Sequence, residues 1–143
     1  MPPSDAEAFL RLAERLVAQD QSEAAYRTAI SRAYYACHLV GRESTWLRGW
    51  FNPTLTGADH AGLIRVLNNR VTWYRELDRL RRLRERADYH IEAVERARGP
   101  IPCEFCALWR VPSNLVTDRH WGQAQSLAAY VLPHLRQITP MSS

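Results

Sequence analysis

The sequence predicts an all-α fold: an antiparallel four-helix bundle with an irregular connection before the last helix. Three observations carry that expectation. Apolar residues recur at helical spacing along the longer stretches, no stretch alternates as a half-buried strand does, and capping or breaking residues stand at the ends of the periodic stretches. A length of 143 residues with 46% apolar composition suits a single domain, 1–143, with a core of its own.

The elements follow in order. Ser4 and Glu7 form a capping-box pattern and open a helix carrying Phe9, Leu12, Ala13, Leu16 and Val17, ending near Asp20. Ser22 caps the next, whose stripe is Tyr26, Ile30, Ala33, Tyr34, Cys37 and Val40, and Gly41 is the expected stop. Residues 43–58, with Trp46, Trp50, Phe51 and Asn52-Pro53, read as a loop or a turn of helix with aromatics tucked beneath it. Asp59 caps a short helix with Leu63, Ile64, Val66 and Leu67, which Asn68-Asn69 weakens. The next helix runs from about Thr72 to Ile91, with Leu77, Leu80, Leu83, Ala87 and Ile91 facing the core. Gly99-Pro100-Ile101-Pro102 breaks it, and an irregular connection, 97–117, holds Cys103, Cys106 and Trp109. Thr117 or Asp118 caps a last helix with Trp121, Leu127, Ala128, Val131 and Leu135, in which Pro133 should force a kink or break; 139–143 form a frayed tail.

Composition excludes some functions. All 19 basic side chains are arginine, so neither a lysine Schiff base nor a GxxxxGK[ST] phosphate loop is available. No apolar run is long enough for a membrane helix, and MPPSDAEAF has no charged-then-apolar leader, so a cytoplasmic protein is expected. Three cysteines argue against a disulfide scaffold. Cys37, on an apolar stripe, should pack as a small hydrophobe. Cys103 and Cys106 have zinc-ligand spacing but lack a second pair; two thiols pinning a loop against Trp109 is the better reading, and no cofactor is expected.

Net charge is +4, and eight arginines from Arg65 to Arg86 face three acids, a surplus of five in that segment alone. Such a run suits an anionic partner, RNA or a nucleotide, with Arg75, Arg79, Arg81, Arg82 and Arg86 as contacts and Tyr35 and Tyr89 free to stack on bases. The alternative is a face that simply points at water. Arg84 differs, because it falls between the leucines of the core stripe, where an unpaired charge is very costly. Asp88 follows one turn later and His90 two residues beyond, a candidate site for a phosphate-bearing ligand. Of the other histidines, His38 and His134 read as surface or packing residues, and His60 as one that caps or orients the short helix.

Arg32 to Ala36 reads Arg-Ala-Tyr-Tyr-Ala, Leu80 to Tyr89 ends in Ala-Asp-Tyr, and Asp59-His60-Ala61-Gly62-Leu63 lies between them. In this order the three stretches resemble the HEPN family of small prokaryotic helical proteins, in its Ala-Asp-Tyr branch. The resemblance covers most of the chain and is weakest from about Ala97 to Leu115. It implies a helical bundle, a homodimer and, in many members, a metal-independent ribonuclease with an Arg-x(4–6)-His motif. Arg84 and His90 meet that spacing. Arg84 would bind phosphate and His90 would act as general acid–base, with Asp88 in support. The chain departs from the pattern at Glu85, where active branches carry a polar residue, usually Asn. In the Ala-Asp-Tyr branch the catalytic histidine is often missing, and Asp88 would then take its place. On an unbroken helix Arg84 and His90 point roughly 120° apart. Two readings follow: a toxin or defence endoribonuclease restrained by an antitoxin-like protein, or a non-catalytic module binding a nucleotide, RNA or a protein.

Overall fold

The computed structural model describes residues 3–89 and 115–138. Those residues form five helices and no strand: α1 (Pro3–Gln19), α2 (Glu23–Arg48), α3 (Ala58–Asn68), α4 (Tyr74–Tyr89) and α5 (Asp118–Arg136). None of these helices is long and apolar enough to cross a membrane.

Helix α2 is the centre of the molecule and packs against all four others. Its inward stripe of Ala29, Ile30, Ala33, Tyr34, Cys37 and Val40 meets Leu77 and Leu80 of α4 and Ala124, Ala128, Val131 and Leu135 of α5 in one core. Tyr26 and Leu83 pack at its edge, so the predicted core residues of α2 and α4 do share a core. Each fully buried leucine or isoleucine there contributes about 1.5–3 kcal/mol of burial free energy. Cys37 is fully buried, and burial pushes its thiol pKa up, so it packs as an inert apolar group.

The largest departure from the sequence reading is at Gly41. The helix does not end there; α2 runs seven residues further, to Arg48. A methyl group on Gly41 would lie 3.0 Å from Leu63 and 3.1 Å from Leu135, so this glycine lets α3 and α5 approach α2 closely. The glycine that ends the helix is Gly49, at φ 83°, whose N–H donates to the carbonyls of Thr45 and Trp46. Trp46 therefore lies on the helix and not in a loop, and it is 56% exposed.

The other boundaries differ in smaller ways. Helix α1 already includes Pro3, one residue before the expected cap, which suits a proline in a first helical turn. Asp59 lies inside the first turn of α3, where its carboxylate accepts from the backbone N–H groups of Thr54 (2.8 Å) and Leu55 (2.9 Å) and from the Thr54 hydroxyl (2.6 Å). It therefore staples the preceding loop to the helix, and in that loop Leu55 takes a left-handed φ of 60°. Burial alone would raise the Asp59 pKa, but these donors outweigh it and hold the carboxyl below its ordinary value. Thr117 caps α5 as expected, with His120 completing the box. The helix runs through Pro133 to Arg136, so the expected break is not there. The cysteine-bearing part of the connection and the tail 139–143 lie outside the described residues.

A polar node ties the ends of the helices together. Arg27, buried on α2, donates to the carbonyls of Arg86 (2.9 Å) and Ala87 (3.0 Å) near the end of α4. Glu23 holds Arg27 through one carboxylate oxygen and accepts from the Val116 N–H through the other. Arg86 donates to the Leu115 carbonyl at 2.9 Å, which fixes the approach to α5. Arg86 is consequently buried and does not simply point at water.

Candidate functional site

A cleft of about 480 Å³ opens between α2, α3 and α4. Its floor is the α2 stripe Tyr35, His38, Leu39 and Arg42, which helical spacing places on one face. Helix α3 contributes His60, and α4 contributes Arg81, Arg84 and Glu85.

Arg84 is the fulcrum. Its side chain is 8% exposed, and its Nε lies 3.1 Å from the Asp88 carboxylate, one turn along. The same carboxylate oxygen accepts from the Ser31 hydroxyl of α2 at 3.1 Å. The Arg84 Nη2 donates to the Tyr35 hydroxyl at 3.1 Å. Its guanidinium carbon sits 5.5 Å from the Tyr34 ring centroid and 5.4 Å from that of Tyr35. The charge predicted from sequence to need a partner has one, together with two aromatic faces.

Tyr34 is buried in the core, and its hydroxyl reaches the cleft wall, 2.6 Å from His60 Nδ1. Burial raises the Tyr34 pKa far above neutrality, against the opposing pull of Arg84 and Arg81, so the phenol keeps its proton. The hydroxyl has no other acceptor among the described residues, and its O–H is satisfied when it donates to Nδ1 in the Nε2–H tautomer of His60. Neutral His60 then carries its own proton on Nε2, which has no partner among the described residues. Burial, with Arg84 and Arg81 nearby, lowers the His60 pKa and keeps the ring neutral. In that tautomer His60 presents an N–H donor to the cleft.

His38 stacks on His60 with ring centroids 4.2 Å apart. It is 3% exposed, and its Nδ1 is buried without a hydrogen-bond partner in the described structure. Burial, His60 and Arg42 push its pKa down to about 3, with Asp59 opposing. The two stacked neutral imidazoles lie in the cleft with Arg42, Arg81 and Arg84, and with the Glu85 carboxylate.

The cations around the cleft differ in commitment. Arg81 pairs with Asp78 at 3.1 Å and with Glu85 at 3.5 Å. Arg84 is held by Asp88 and Tyr35. Arg42 makes no side-chain hydrogen bond or ion pair with any described residue.

A larger groove of about 690 Å³ runs between α4 and α5 past Arg79, Arg82, Arg86 and His120. Two of its polar walls are already engaged: Arg86 by the Leu115 carbonyl, and His120 by the N–H of Thr117 at 2.9 Å. No group of three or more His, Cys, Asp or Glu able to hold a metal occurs among the described residues.

Of the site residues named from sequence, Tyr35, Arg84 and Asp88 meet in one network, with Arg81 beside them. Arg75, Arg79 and Arg82 stand exposed on the other side of α4 and do not join it. His90, Cys103, Cys106 and the Tyr89 side chain lie outside the described residues. Sequence reasoning missed Arg42, His38 and His60 as partners in one cleft. The signal for two of them was present, since Tyr35, His38, Leu39 and Arg42 continue a helical stripe past Gly41. Comparison with known proteins gives no match to a family model, a curated protein or a solved structure.

Proposed function

We propose that the protein is a HEPN-like helical module that binds a phosphate-bearing ligand of nucleotide class in the cleft between α2, α3 and α4. The observation that carries this reading is Arg42, uncommitted beside the Nε2–H of His60 and the buried, unpartnered Nδ1 of His38. A guanidinium takes phosphate oxygens bidentately, and a neutral imidazole N–H adds a directional donor without a charge to desolvate. A cleft of about 480 Å³ is of small-ligand size.

The HEPN reading draws support from where its three motif stretches lie. Tyr34 of the Arg-Ala-Tyr-Tyr-Ala stretch bonds His60 of the Asp-His stretch, and Tyr35 bonds Arg84, which is held by Asp88 of Ala-Asp-Tyr. Stretches far apart in sequence thus meet in two adjacent hydrogen-bonded groups, linked where the Arg84 guanidinium lies against the Tyr34 ring. Arg42 and His60, which line the cleft, supply donors for an anion, and this supports binding.

Calorimetric titration with adenosine 5′-monophosphate and with a short RNA, at low salt, tests the reading. Arg42→Gln should weaken binding at least about tenfold, the cost of removing a charge-assisted contact. Wild-type protein that binds neither ligand, or Arg42→Gln protein that binds as wild type does, would remove it.

A further inference from the structure

The cleft does not end at Arg42. A second, more apolar groove of about 380 Å³ lies against it, walled by Leu39, Arg42, Glu43, Trp46, Asn52 and Leu55. Leu39, Arg42 and Leu55 line both cavities, so the two adjoin, with Arg42 reached from either. The α2 stripe Tyr35, Leu39, Arg42 and Trp46 runs beneath both, at spacings of four, three and four residues.

The second groove holds the features a nucleobase needs. Trp46 is 56% exposed and Leu55 is 77% exposed, an unusual pair of large apolar side chains to leave in water on adjoining elements. Leu55 is held there by force of backbone geometry: its φ of 60° is a left-handed value that a leucine rarely adopts, and the Asp59 carboxylate fixes it through the Leu55 N–H at 2.9 Å. The Asn52 amide offers a donor and an acceptor, and the Glu43 carboxylate an acceptor, at the groove edge. Arg42 and Trp46 are one turn apart, about 6 Å along the helix axis, which is about the reach from a nucleotide's phosphate to its base.

We infer that the Trp46 groove is the base subsite of the phosphate cleft, and that the ligand is a single nucleoside 5′-monophosphate whose base stacks on Trp46 while Arg42 and His60 take its phosphate. This rests on the phosphate-binding reading above. One uncommitted guanidinium and one exposed indole match one nucleotide unit, whereas a strand-binding surface repeats such pairs along a groove. Leu55 closes the sandwich from the loop side, and its strained backbone is the cost of preorganising that wall.

The test compares adenosine 5′-monophosphate with ribose 5-phosphate by calorimetry, in wild type, Trp46→Ala and Trp46→Phe. Wild type should bind the nucleotide about tenfold or more tighter than the sugar phosphate, the scale of one base stacked on an aromatic side chain. Trp46→Ala should erase that preference and leave ribose 5-phosphate affinity unchanged; Trp46→Phe should keep most of it. Equal affinities in wild type would overturn the base subsite while leaving the phosphate reading intact. Equal weakening of both ligands in Trp46→Ala would make Trp46 structural and also overturn it. A short RNA without a terminal phosphate that binds tighter than the mononucleotide would replace the single-nucleotide ligand with a strand. A wild-type dimer that Trp46→Ala converts to monomer by light scattering would assign the groove to a second copy of the chain. Wild type that binds neither phosphate compound would overturn the phosphate reading and this one with it.

Discussion

Arg82 and Arg84 are two residues apart on α4 and carry the same charge, yet the Arg82 side chain is 68% exposed and that of Arg84 only 8%. The difference runs along the whole helix. Arg75, Arg79 and Arg82 face water, with Arg82 in loose contact with Asp78 at 3.3 Å. Arg81, Arg84 and Arg86 are turned inward, to carboxylates, a phenol and a backbone carbonyl. A surplus of five positive charges in the segment is therefore no measure of charge available to a ligand. Arg84 and Arg86 tie α4 to other parts of the fold, Arg81 pairs within α4, and Arg42, the cation we propose for the anion, belongs to another helix. The comparison separates structural from ligand-facing guanidinia, and substitutions on the two sides should separate them in the laboratory.

The largest effect is expected at Arg84. Arg84→Ala removes the partner of Asp88 and the donor to Tyr35, and empties the space against two tyrosine rings. Removing one member of a largely buried pair costs about 3 kcal/mol. Urea denaturation should show a loss of that order, and a variant as stable as wild type would dissolve the distinction between the two faces of α4.

The stacked histidines make the cleft side of the molecule sensitive to acid in a way the outer face is not. The His38 pKa is depressed from the ordinary 6.5 to about 3, and those of His60 and His120 also move down. Between those values the unfolded chain binds a proton at His38 that the folded chain refuses. Stability is therefore present above about pH 6.5 and is lost as pH falls toward 3, with a slope on the order of 1 kcal/mol per pH unit from His38 alone. Denaturation midpoints at pH 7.5 and 5.5 should fall in that order. His38→Phe removes this titration and should flatten the profile, while His60, Arg42, Arg84 and Asp59 remain around the position. A wild-type profile level across the range would show that the pair is not held neutral.

A smaller effect distinguishes two glycines that sequence alone treats alike. Gly41→Ala would push a methyl against Leu63 and Leu135 and should cost about 1–2 kcal/mol through overpacking. Gly49→Ala should cost about 1 kcal/mol for a different reason, the left-handed φ of 83°. Thermal denaturation of both variants, with the helix content of each, checks the assignment: only the Gly49 change acts at a helix end.

These glycines show how far the sequence could be read. The all-α class was legible because Ile30, Tyr34, Cys37, Leu77 and Leu80 each repeat at helical spacing, and periodicity is local information. The end of α2 was not, because a glycine signals either a stop or a close approach, and only the position of Leu63 and Leu135 decides between them. Placing the stop at Gly41 also hid the cleft. Once α2 is cut there, Arg42 and Trp46 leave the helix and no longer align with Tyr35. Arg84 and Asp88 were found because a charge inside a leucine stripe violates a local rule. His38 and His60 violate none, and their stacking is a tertiary contact with no sequence signature.

The smallest effect on stability, and the sharpest test of the comparison, lies on the outer face. Reversing Arg79 and Arg82 to Glu touches one contact, Arg82 with Asp78, which Arg81 also holds. The stability change should stay within about 0.5 kcal/mol. The ligand consequence divides the two faces. If the cleft is the site, mononucleotide affinity should fall no more than about twofold in the double reversal, by long-range electrostatics that salt screens out, against about tenfold in Arg42→Gln. RNA affinity is the contrasting measurement, since an outer arginine face that neutralises phosphates loses both affinity and salt dependence when its charges are reversed. Strong loss of RNA binding with mononucleotide binding intact would give the outer face a role of its own. Loss of mononucleotide binding as large as that of Arg42→Gln would move the site from the cleft to the outer arginines, because only a direct contact accounts for an effect of that size in salt.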